Sequence, residues 1–498
     1  MIKRFLSLAA AMTLLLMPLP VTAQTSFTMA GFDGEDSGHD WADNDFFTRM
    51  EQRTGLSFTF SQYTKSADWQ KAKDEMFSTG ALPEVLFKAA LTTEELIRYT
   101  DSGQLIDLKP LLAENAPHLW QLLQSHPQWM EAITLPSGKI GALPGIEPVS
   151  TQNVLWINRD WLEKLGLPVP TDMASLETTL TAFRDGDPNQ NGKKDEVPLA
   201  FLGSWELKLF SHAYGVVVND YNLYLDDGGT VHYWPEEDSF LELASTLRDW
   251  YQKKLLAQDG FSTSDMLRRV TDDNATVCYG AFFAPTPVSL LTYAQAQSYT
   301  AVMPFAYQGR QVYRDLTGQI ARGAFAITSA CQDPAALLAW VDVLYTQEGA
   351  VEAMLGKEGD AYLINEDGYW QWKGGADQMT SSRLSRLSVY DSGEMPWLFP
   401  QEFYQRYAEE GVRRIASELT SFSAYVKQPF PVYTLTLEES ARVLPLQNAL
   451  GRYVDESFAR FVLGQSELNQ ENVDAFRQKL EALGSSDMVQ FWQDIAQR

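Results

Sequence analysis

The stretch Ser26-Phe27-Thr28-Met29-Ala30, followed later by Leu56-Ser57-Phe58-Thr59-Phe60, contains two strand-like segments. The intervening segment from Asp43 to Arg53 has apolar side chains at helical spacing. A second helix-like segment, Asp68 to Thr79, precedes the short strand-like segment Glu84 to Phe87. Strands that alternate with helices in this way are typical of α/β proteins. The N-terminal part of the chain therefore predicts an α/β fold.

The length of the chain, 498 residues, favours two lobes over a single core. The glycine- and proline-containing segment Ile140 to Gly145 precedes the strand-like Asn153 to Asn158, and we expect the chain to cross between lobes there. Further crossings are predicted near Ala301 to Pro304 and near Tyr345 to Gly349. The amphipathic pattern from Leu437 to Gln497 predicts a helical C-terminal region.

The N-terminus has the pattern of a secretory signal peptide over residues 1–23. A basic Met1 to Arg4 precedes an apolar Phe5 to Leu19, and Val21-Thr22-Ala23 resembles a cleavage site. A retained membrane anchor is the alternative. No cysteine follows the cleavage site to carry a lipid. We therefore expect an extracytoplasmic protein, either periplasmic or secreted.

The net charge of −26 excludes two classes of partner. Nucleic acids and anionic membranes attract basic patches, whereas this chain is strongly acidic. The only cysteines are Cys278 and Cys331, and their spacing leaves both a disulfide and two free thiols open.

The segment Asp187-Pro188-Asn189-Gln190-Asn191-Gly192-Lys193-Lys194-Asp195-Glu196 alternates oxygen donors around a glycine, as an EF-hand calcium loop does. It departs from that pattern at its twelfth position, Pro198, where a bidentate carboxylate is expected. A solvated polar turn is the alternative. Saturation by protein groups would make the calcium structural and not catalytic. The predicted ligands are Asp187, Asn189, Asn191, the Lys193 carbonyl, Asp195 and Glu196.

Several blocks of the sequence resemble the family 1 extracellular solute-binding proteins of carbohydrate ABC importers. The resemblance includes the alginate-oligosaccharide-binding and lipoprotein-type members of that family. It recurs in order from Trp69 to the C-terminal helices. The blocks that carry it are Trp69 to Pro83, Gly103 to Leu108, Trp156 to Leu167 and Cys331 to Gly349.

The resemblance implies a two-lobed periplasmic-binding-protein fold with hinge segments. Lobe one would comprise residues 24–145 and 301–347, and lobe two residues 146–300 and 348–498 with the C-terminal helices. A carbohydrate, in particular an oligosaccharide, would bind unaltered in the cleft and pass to the transmembrane subunits of an ABC permease. The protein would be a monomer and not an enzyme, and family members hold calcium at the segment that begins with Asp187.

Candidate ligand-binding residues are aromatic or acidic side chains in glycine-rich, polar or irregular surroundings, because sugars stack on flat rings and bond to polar groups. Tyr279, for example, follows a predicted strand at residues 275–277. For each aromatic residue, the alternative is that its ring packs in a core. For the acid, Glu147, the alternative is a position in a solvated loop. The candidates are Trp41, Glu147, Trp205, Tyr279, Trp370 and Trp397.

A secreted polysaccharide-degrading enzyme is the main rival hypothesis, because glycoside cleavage needs only two carboxylates. The chain has 65 acidic residues, so a pair of this kind carries no specificity. The sequence contains no G-x-S-x-G, H-E-x-x-H or G-x-G-x-x-G motif. An adhesive surface protein is the remaining alternative.

Overall fold

A computed structural model describes residues 25–148, 151–262, 278–316, 320–375, 378–390 and 394–498. The predicted signal peptide at residues 1–23 and the predicted strand at residues 275–277 lie outside the described residues.

A five-stranded sheet forms the centre of the first lobe. Its order is β2-β1-β3-β12-β4, in which β12 runs antiparallel to both of its neighbours. The predicted strand–helix–strand unit is present, and its helix Asp45–Thr54 begins at the cap Asn44 and ends at Gly55 in the left-handed conformation. The strands are β1 Thr25–Phe32, β2 Leu56–Tyr63, β3 Val85–Phe87, β4 Leu143–Gly145 and β12 Ala321–Ile327.

A four-stranded sheet in the order β10-β5-β9-β6 forms the centre of the second lobe. Strand β5 is buried at every position, as its apolar sequence predicts. These strands are β5 Val154–Asn158, β6 Val197–Ala200, β9 Tyr279–Ala284 and β10 Tyr299–Ala301. Three two-stranded sheets complete the strands: β7 Leu223–Leu225 with β8 Val231–Tyr233, β11 Tyr313–Arg314 with β15 Val426–Lys427, and β13 Tyr362–Ile364 with β14 Trp370–Trp372.

Helices cover both sheets, and the C-terminal region is helical as predicted. After Asp45–Thr54, the helices of the first half are Ser66–Thr79, Thr93–Asp101, Lys109–Asn115, Pro117–Ser125, Pro127–Ile133, Arg159–Leu165, Met173–Asp185, Gly203–Leu207 and Asp238–Gln252. Those of the second half are Tyr293–Ala296, Pro334–Asp342, Gln347–Leu355, Ser381–Leu387, Gln401–Tyr404, Glu410–Ser421, Leu437–Val462, Gln470–Ala482 and Ser485–Ala496.

The apolar cores show which parts of the chain pack together. The first core takes its members from residues 27–146 and from residues 320–407. Residues 348–407, which the sequence analysis assigns to lobe two, therefore pack around the first sheet. The crossing expected at Tyr345 to Gly349 is a turn within this core, because Tyr345, Ala350 and Val351 are all members of it.

Two strand-to-strand connections join the sheets, and both leave from the same edge. The chain passes from the end of β4 to the start of β5, and from the end of β10 to the start of β12. The chain crosses a third time after Tyr407, where the helix Glu410–Ser421 packs with the second sheet. Between the two strand-to-strand connections, Gln152 donates its backbone N–H to the Arg314 carbonyl, and Thr151 forms a bridge with Asp315. Strand β11 also pairs with β15. The crossing region is thus a small hydrogen-bonded unit.

Two further properties bear on localisation and redox chemistry. Among the described residues, no helix combines the length and the apolar character needed to cross a membrane. The two cysteines, Cys278 and Cys331, are both described and are not joined by a disulfide.

Candidate ligand-binding site and calcium loop

The two sheets present their carboxyl-end edges to the crossing segments. In the first sheet this edge holds the ends of β1 to β4 and the start of β12. In the second it holds the ends of β6, β9 and β10 and the start of β5. Ligands of open α/β sheets bind outside the carboxyl ends of the strands. The geometry therefore locates a candidate site in the cleft between these edges.

A buried ion pair stabilises the first-sheet edge. Lys88, which follows β3, donates to the carbonyl of Asp33 at 2.8 Å and to its carboxylate at 2.6 Å. Both side chains are fully buried, and Lys88 also donates to the Val389 carbonyl at 3.3 Å. Burial alone would raise the pKa of Asp33, but the hydrogen bond from His39 and the charge of Lys88 lower it to about 2. This network ties β1 and β3 to the segment before residue 390.

A pocket of about 380 Å³ is lined by five aromatic rings. The Trp370 indole donates to the Phe403 carbonyl at 3.1 Å, and its ring lies 4.4 Å from that of Tyr407. The rings are thus held by packing and hydrogen bonding. A rigid, mainly aromatic lining of this kind suits the apolar face of a sugar ring. The aromatic residues of this pocket are Trp370, Trp372, Tyr390, Tyr404 and Tyr407, with Glu409 at its margin.

A chain of aromatic contacts joins this pocket to the end of β4. Ile146 exchanges backbone hydrogen bonds with Trp397 and Phe399, which places that segment beside β4. The Trp397 ring lies 4.9 Å from Tyr390, and Phe399 lies 5.6 Å from Tyr404. The two tyrosines are 40% and 41% exposed, so they present accessible faces at the pocket.

Glu147 follows β4 at the same edge and is exposed to solvent. Burial nevertheless raises its pKa. The structure therefore places this predicted ligand-binding acid at the carboxyl-end edge of the first sheet, directly after β4.

At the second-sheet edge, Trp205 lies in the short helix that follows β6 and is 46% exposed. Its neighbour Glu206 is buried and accepts the Leu202 N–H at 2.7 Å. Burial raises the pKa of Glu206 to about 8. Trp205 thus presents an accessible indole at the cleft edge, next to a buried acid whose pKa is raised.

Four of the predicted ligand-binding aromatic residues have their rings in the cores, and one of them is Trp370 of the pocket, which is 4% exposed. Trp41 is 1% exposed and packs against Phe47, Phe60 and Phe87. Tyr279 lies in β9, where it is 6% exposed, and Trp397 is 3% exposed. These rings pack in this conformation, and the structure does not bring them together with Trp205.

The predicted calcium loop folds back on itself around the side chain of Asp187. Its carboxylate accepts the backbone N–H groups of Asn191 and Gly192, both at 3.1 Å. The side-chain amides of Asn189 and Asn191 donate to the Asp195 carboxylate at 2.9–3.1 Å. Four of the six predicted ligands are therefore joined directly by hydrogen bonds.

Glu196 completes the loop with a buried oxygen, Oε1, that has no hydrogen-bond partner. Its pKa is raised by burial and by the charges of Asp195 and Asp187. Across the described part of the chain, no three His, Cys, Asp or Glu side chains are grouped closely enough to hold a metal ion. In this loop the side-chain amides of Asn189 and Asn191 thus direct their nitrogen atoms, and not their oxygen atoms, toward the Asp195 carboxylate.

Three tyrosines of the aromatic pocket were not predicted from the sequence: Tyr390, Tyr404 and Tyr407. All three tyrosines are distant from Trp370 in the sequence. The available signal was the aromatic density between residues 397 and 407, where Trp397, Phe399, Phe403, Tyr404 and Tyr407 follow one another closely.

Sequence comparison identifies one well-supported relative. No family model matches the chain. The fructooligosaccharide ABC transporter substrate-binding protein FusA of Streptococcus pneumoniae serotype 4 is 26% identical over 325 residues. The alignment covers 63% of this chain and 59% of FusA, which is less than two-thirds of that relative's length.

Structural comparison covers nearly the whole chain. FusA in complex with kestose matches with a TM-score of 0.74 and 20% identity, over 95% of this chain and 99% of FusA. An extracellular solute-binding protein from Bifidobacterium longum subsp. infantis matches with a TM-score of 0.77 and 19% identity, over 96% and 99% of the two chains. The alginate-binding protein AlgQ2 without calcium ion matches with a TM-score of 0.70 and 18% identity, over 95% and 98%.

A further structural neighbour is a FusA EF-hand mutant in complex with fructo-nystose. The relatives are binding proteins and not enzymes. The chain is thus a relative of FusA, the substrate-binding protein of a fructooligosaccharide ABC transporter, and it shares the α/β fold of these solute-binding proteins.

Proposed function

We propose that this protein is the extracytoplasmic substrate-binding component of an ABC importer, and that it binds an oligosaccharide without altering it. The observation that carries the proposal is the pocket lined by five aromatic rings near the carboxyl-end edge of the first sheet. The likeness to FusA supports a carbohydrate ligand. The bound sugar would then pass to the transmembrane subunits of the permease.

Each part of the site has a distinct role in this proposal. The pocket tyrosines and tryptophans stack on the apolar faces of sugar rings, where an aromatic platform loses little conformational freedom. Trp205 supplies a second platform from the opposite edge. Glu147 accepts hydrogen bonds from sugar hydroxyls. Among the residues predicted from sequence, Trp370, Trp205 and Glu147 form this proposed site.

We further propose that calcium stabilises the loop from Asp187 to Glu196. The donor types suit a hard cation, because the loop carries three carboxylates in one short segment and leaves a buried Glu196 oxygen without a partner. In the present conformation the three carboxylates do not converge on one point. Rotation of the Asn189 and Asn191 amides would turn their oxygens toward the ion and replace the present contacts to Asp195. The Lys193 carbonyl would supply the remaining protein oxygen.

We extend the proposal to the oligomeric state, the export signal and the boundaries of the lobes. We expect a monomer whose residues 1–23 direct export and are removed. The packing supports a first lobe of residues 24–145 and about 320–407, which modifies the division predicted from the sequence. The second lobe would then comprise most of the remaining chain, including the C-terminal helices.

Binding without turnover is the first testable consequence. Purified protein mixed with a panel of neutral oligosaccharides, including kestose, should show a raised melting temperature with at least one glycan. Chromatography of the same mixtures should show the glycan unchanged. Hydrolysis at about one turnover per second or faster would instead identify an enzyme. Absence of binding across the panel would contradict the proposed carbohydrate ligand.

Ligand should also close the cleft. The crossing region joins the lobes through few residues, and hinge closure is characteristic of this fold. We expect a saturating glycan to reduce the radius of gyration measured by solution X-ray scattering. Trp205→Ala, which removes a platform on one edge, is the comparison variant. A scattering curve that a saturating ligand leaves unchanged would argue against closure, though not against binding.

A further inference from the structure

Arg322 has an unusual position at the first-sheet edge. It is the second residue of β12, whose start lies beside the end of β4. The backbone here is tightly fixed, because a side chain at Gly323 would come within 2.2 Å of the Leu91 carbonyl oxygen. The Arg322 backbone is therefore held at the carboxyl-end edge where we place the ligand.

The guanidinium of Arg322 has few partners. Its Nη1 donates to the Thr93 hydroxyl at 3.4 Å, and this long hydrogen bond is its one interaction with the described residues. Burial lowers the pKa of Arg322, although an arginine remains charged. A guanidinium carries five N–H donors, so most of them are available to another molecule.

Neighbouring lysines at this edge differ from Arg322 because each has a carboxylate. Lys88 pairs with Asp33 at 2.6 Å, and Lys73 pairs with Glu95 at 2.9 Å. Each of those two ion pairs stabilises the fold, and its positive and negative charges largely cancel. Of these three cations, Arg322 is the one that no acid among the described residues contacts. Its guanidinium nitrogens are not sealed from solvent, so a ligand can reach the N–H donors that the protein does not use.

We propose that Arg322 is a specificity-determining residue that donates two parallel N–H groups to adjacent hydroxyl oxygens of a neutral sugar ring. This inference rests on the proposed function and adds a chemical class to its ligand. The planar fork of a guanidinium matches two neighbouring oxygen acceptors, which a lysine ammonium does not.

The surrounding charges favour a neutral ligand over a uronic acid. Glu147 and Glu394 are both exposed and lie in flanking segments, and burial raises the pKa of each. An anionic sugar would meet two acids for one arginine, in a chain whose net charge is −26. Hydroxyl groups instead accept from Arg322 and donate to the acids.

The test is isothermal titration of the intact protein and of Arg322→Lys with neutral tri- and tetrasaccharides, including kestose, and with a mannuronate trisaccharide. We expect a neutral glycan to bind the unmodified protein. Arg322→Lys should weaken that binding by about 10- to 100-fold, because the charge is kept but the paired hydrogen bonds are lost. Arg310→Lys is the matched control, since Arg310 is exposed and contacts Asp227.

Thermal unfolding of the same proteins separates binding from folding. A melting temperature that Arg322→Lys leaves nearly unchanged, with weakened binding, supports the inference. Equal affinities for Arg322→Lys and the unmodified protein would overturn it, as would tighter binding of the mannuronate than of every neutral glycan. If the unmodified protein binds no glycan at all, the proposed function itself is wrong.

Discussion

Replacing Lys88 by methionine should lower the free energy of unfolding by about 3–5 kcal/mol, because it leaves the Asp33 carboxylate buried without its cationic partner. Both side chains are fully buried, and Lys88 also bonds to the carbonyls of Asp33 and Val389. Urea unfolding followed by tryptophan fluorescence measures the effect. The double variant Asp33→Asn/Lys88→Met should recover part of the loss, since it removes the stranded charge.

Lys65→Met is the matched control for Lys88→Met. Lys65 contacts Glu35 and Asp36 at the surface, where solvent screens the pair, so its loss should change stability little.

The pH dependence of the stability in acid provides a second measurement. The folded pKa of Asp33, about 2, lies below its ordinary value of 3.8, so its stabilising contribution is complete above about pH 4 and is lost as pH falls toward 2. Equal losses for Lys88→Met and Lys65→Met would contradict the role of the buried pair.

Removing calcium with a chelator should lower the melting temperature, with a loss of about 4 kcal/mol of stability if the ion was present at 1,000 times its dissociation constant. The physical reason is repulsion among Asp187, Asp195 and Glu196, which the ion offsets. Asp187→Ala should be destabilised to a similar extent and should no longer respond to chelator. Circular dichroism during heating, with and without calcium, makes the measurement.

Asp185→Ala provides the control for the calcium loop. Asp185 pairs with Arg184 just before the loop, so this variant should keep its response to calcium.

Calcium should also change the pH dependence of the stability. Without the ion, Glu196 has a raised pKa, and its ionisation destabilises the folded protein as pH rises through that pKa. With calcium, that loss should disappear. Melting that is indifferent to calcium and chelator would identify the loop as an ordinary polar turn.

Local patterns predicted local structure well. The first strands and the helix between them depend on side chains a few residues apart, and the loop from Asp187 to Glu196 gathers its polar groups within one short segment. The crossing predicted near Gly349 depends on long-range packing, and the residues on both sides of this glycine belong to the first core. This glycine allows a helix to approach the Val343 carbonyl, where a side chain would come within 2.1 Å.

The ligand-binding residues were harder to predict because exposure depends on distant parts of the chain. Trp41 lies in a glycine-rich segment, but Gly31 leaves room for its ring, and the indole is buried. Tyr390 has no distinctive local pattern, and the aromatic run that contains Tyr404 does not indicate which of its rings are exposed. In the structure Trp397 and Phe399 lie beside β4 and contact these two tyrosines. No short window of sequence contains that arrangement.

The position of β12 between β3 and β4 also controls the order in which the protein can fold. The whole second sheet lies in sequence between β4 and the strand with which it pairs. Long-range pairing slows folding, because the loop must close before its contacts form. A nascent chain that ends at Ala301 lacks β12, which is the partner of β4 and the second partner of β3. The strand edges that are left unpaired promote aggregation. The first lobe is therefore completed only after most of the second has been synthesised, and the N-terminal half is not an independently folding unit.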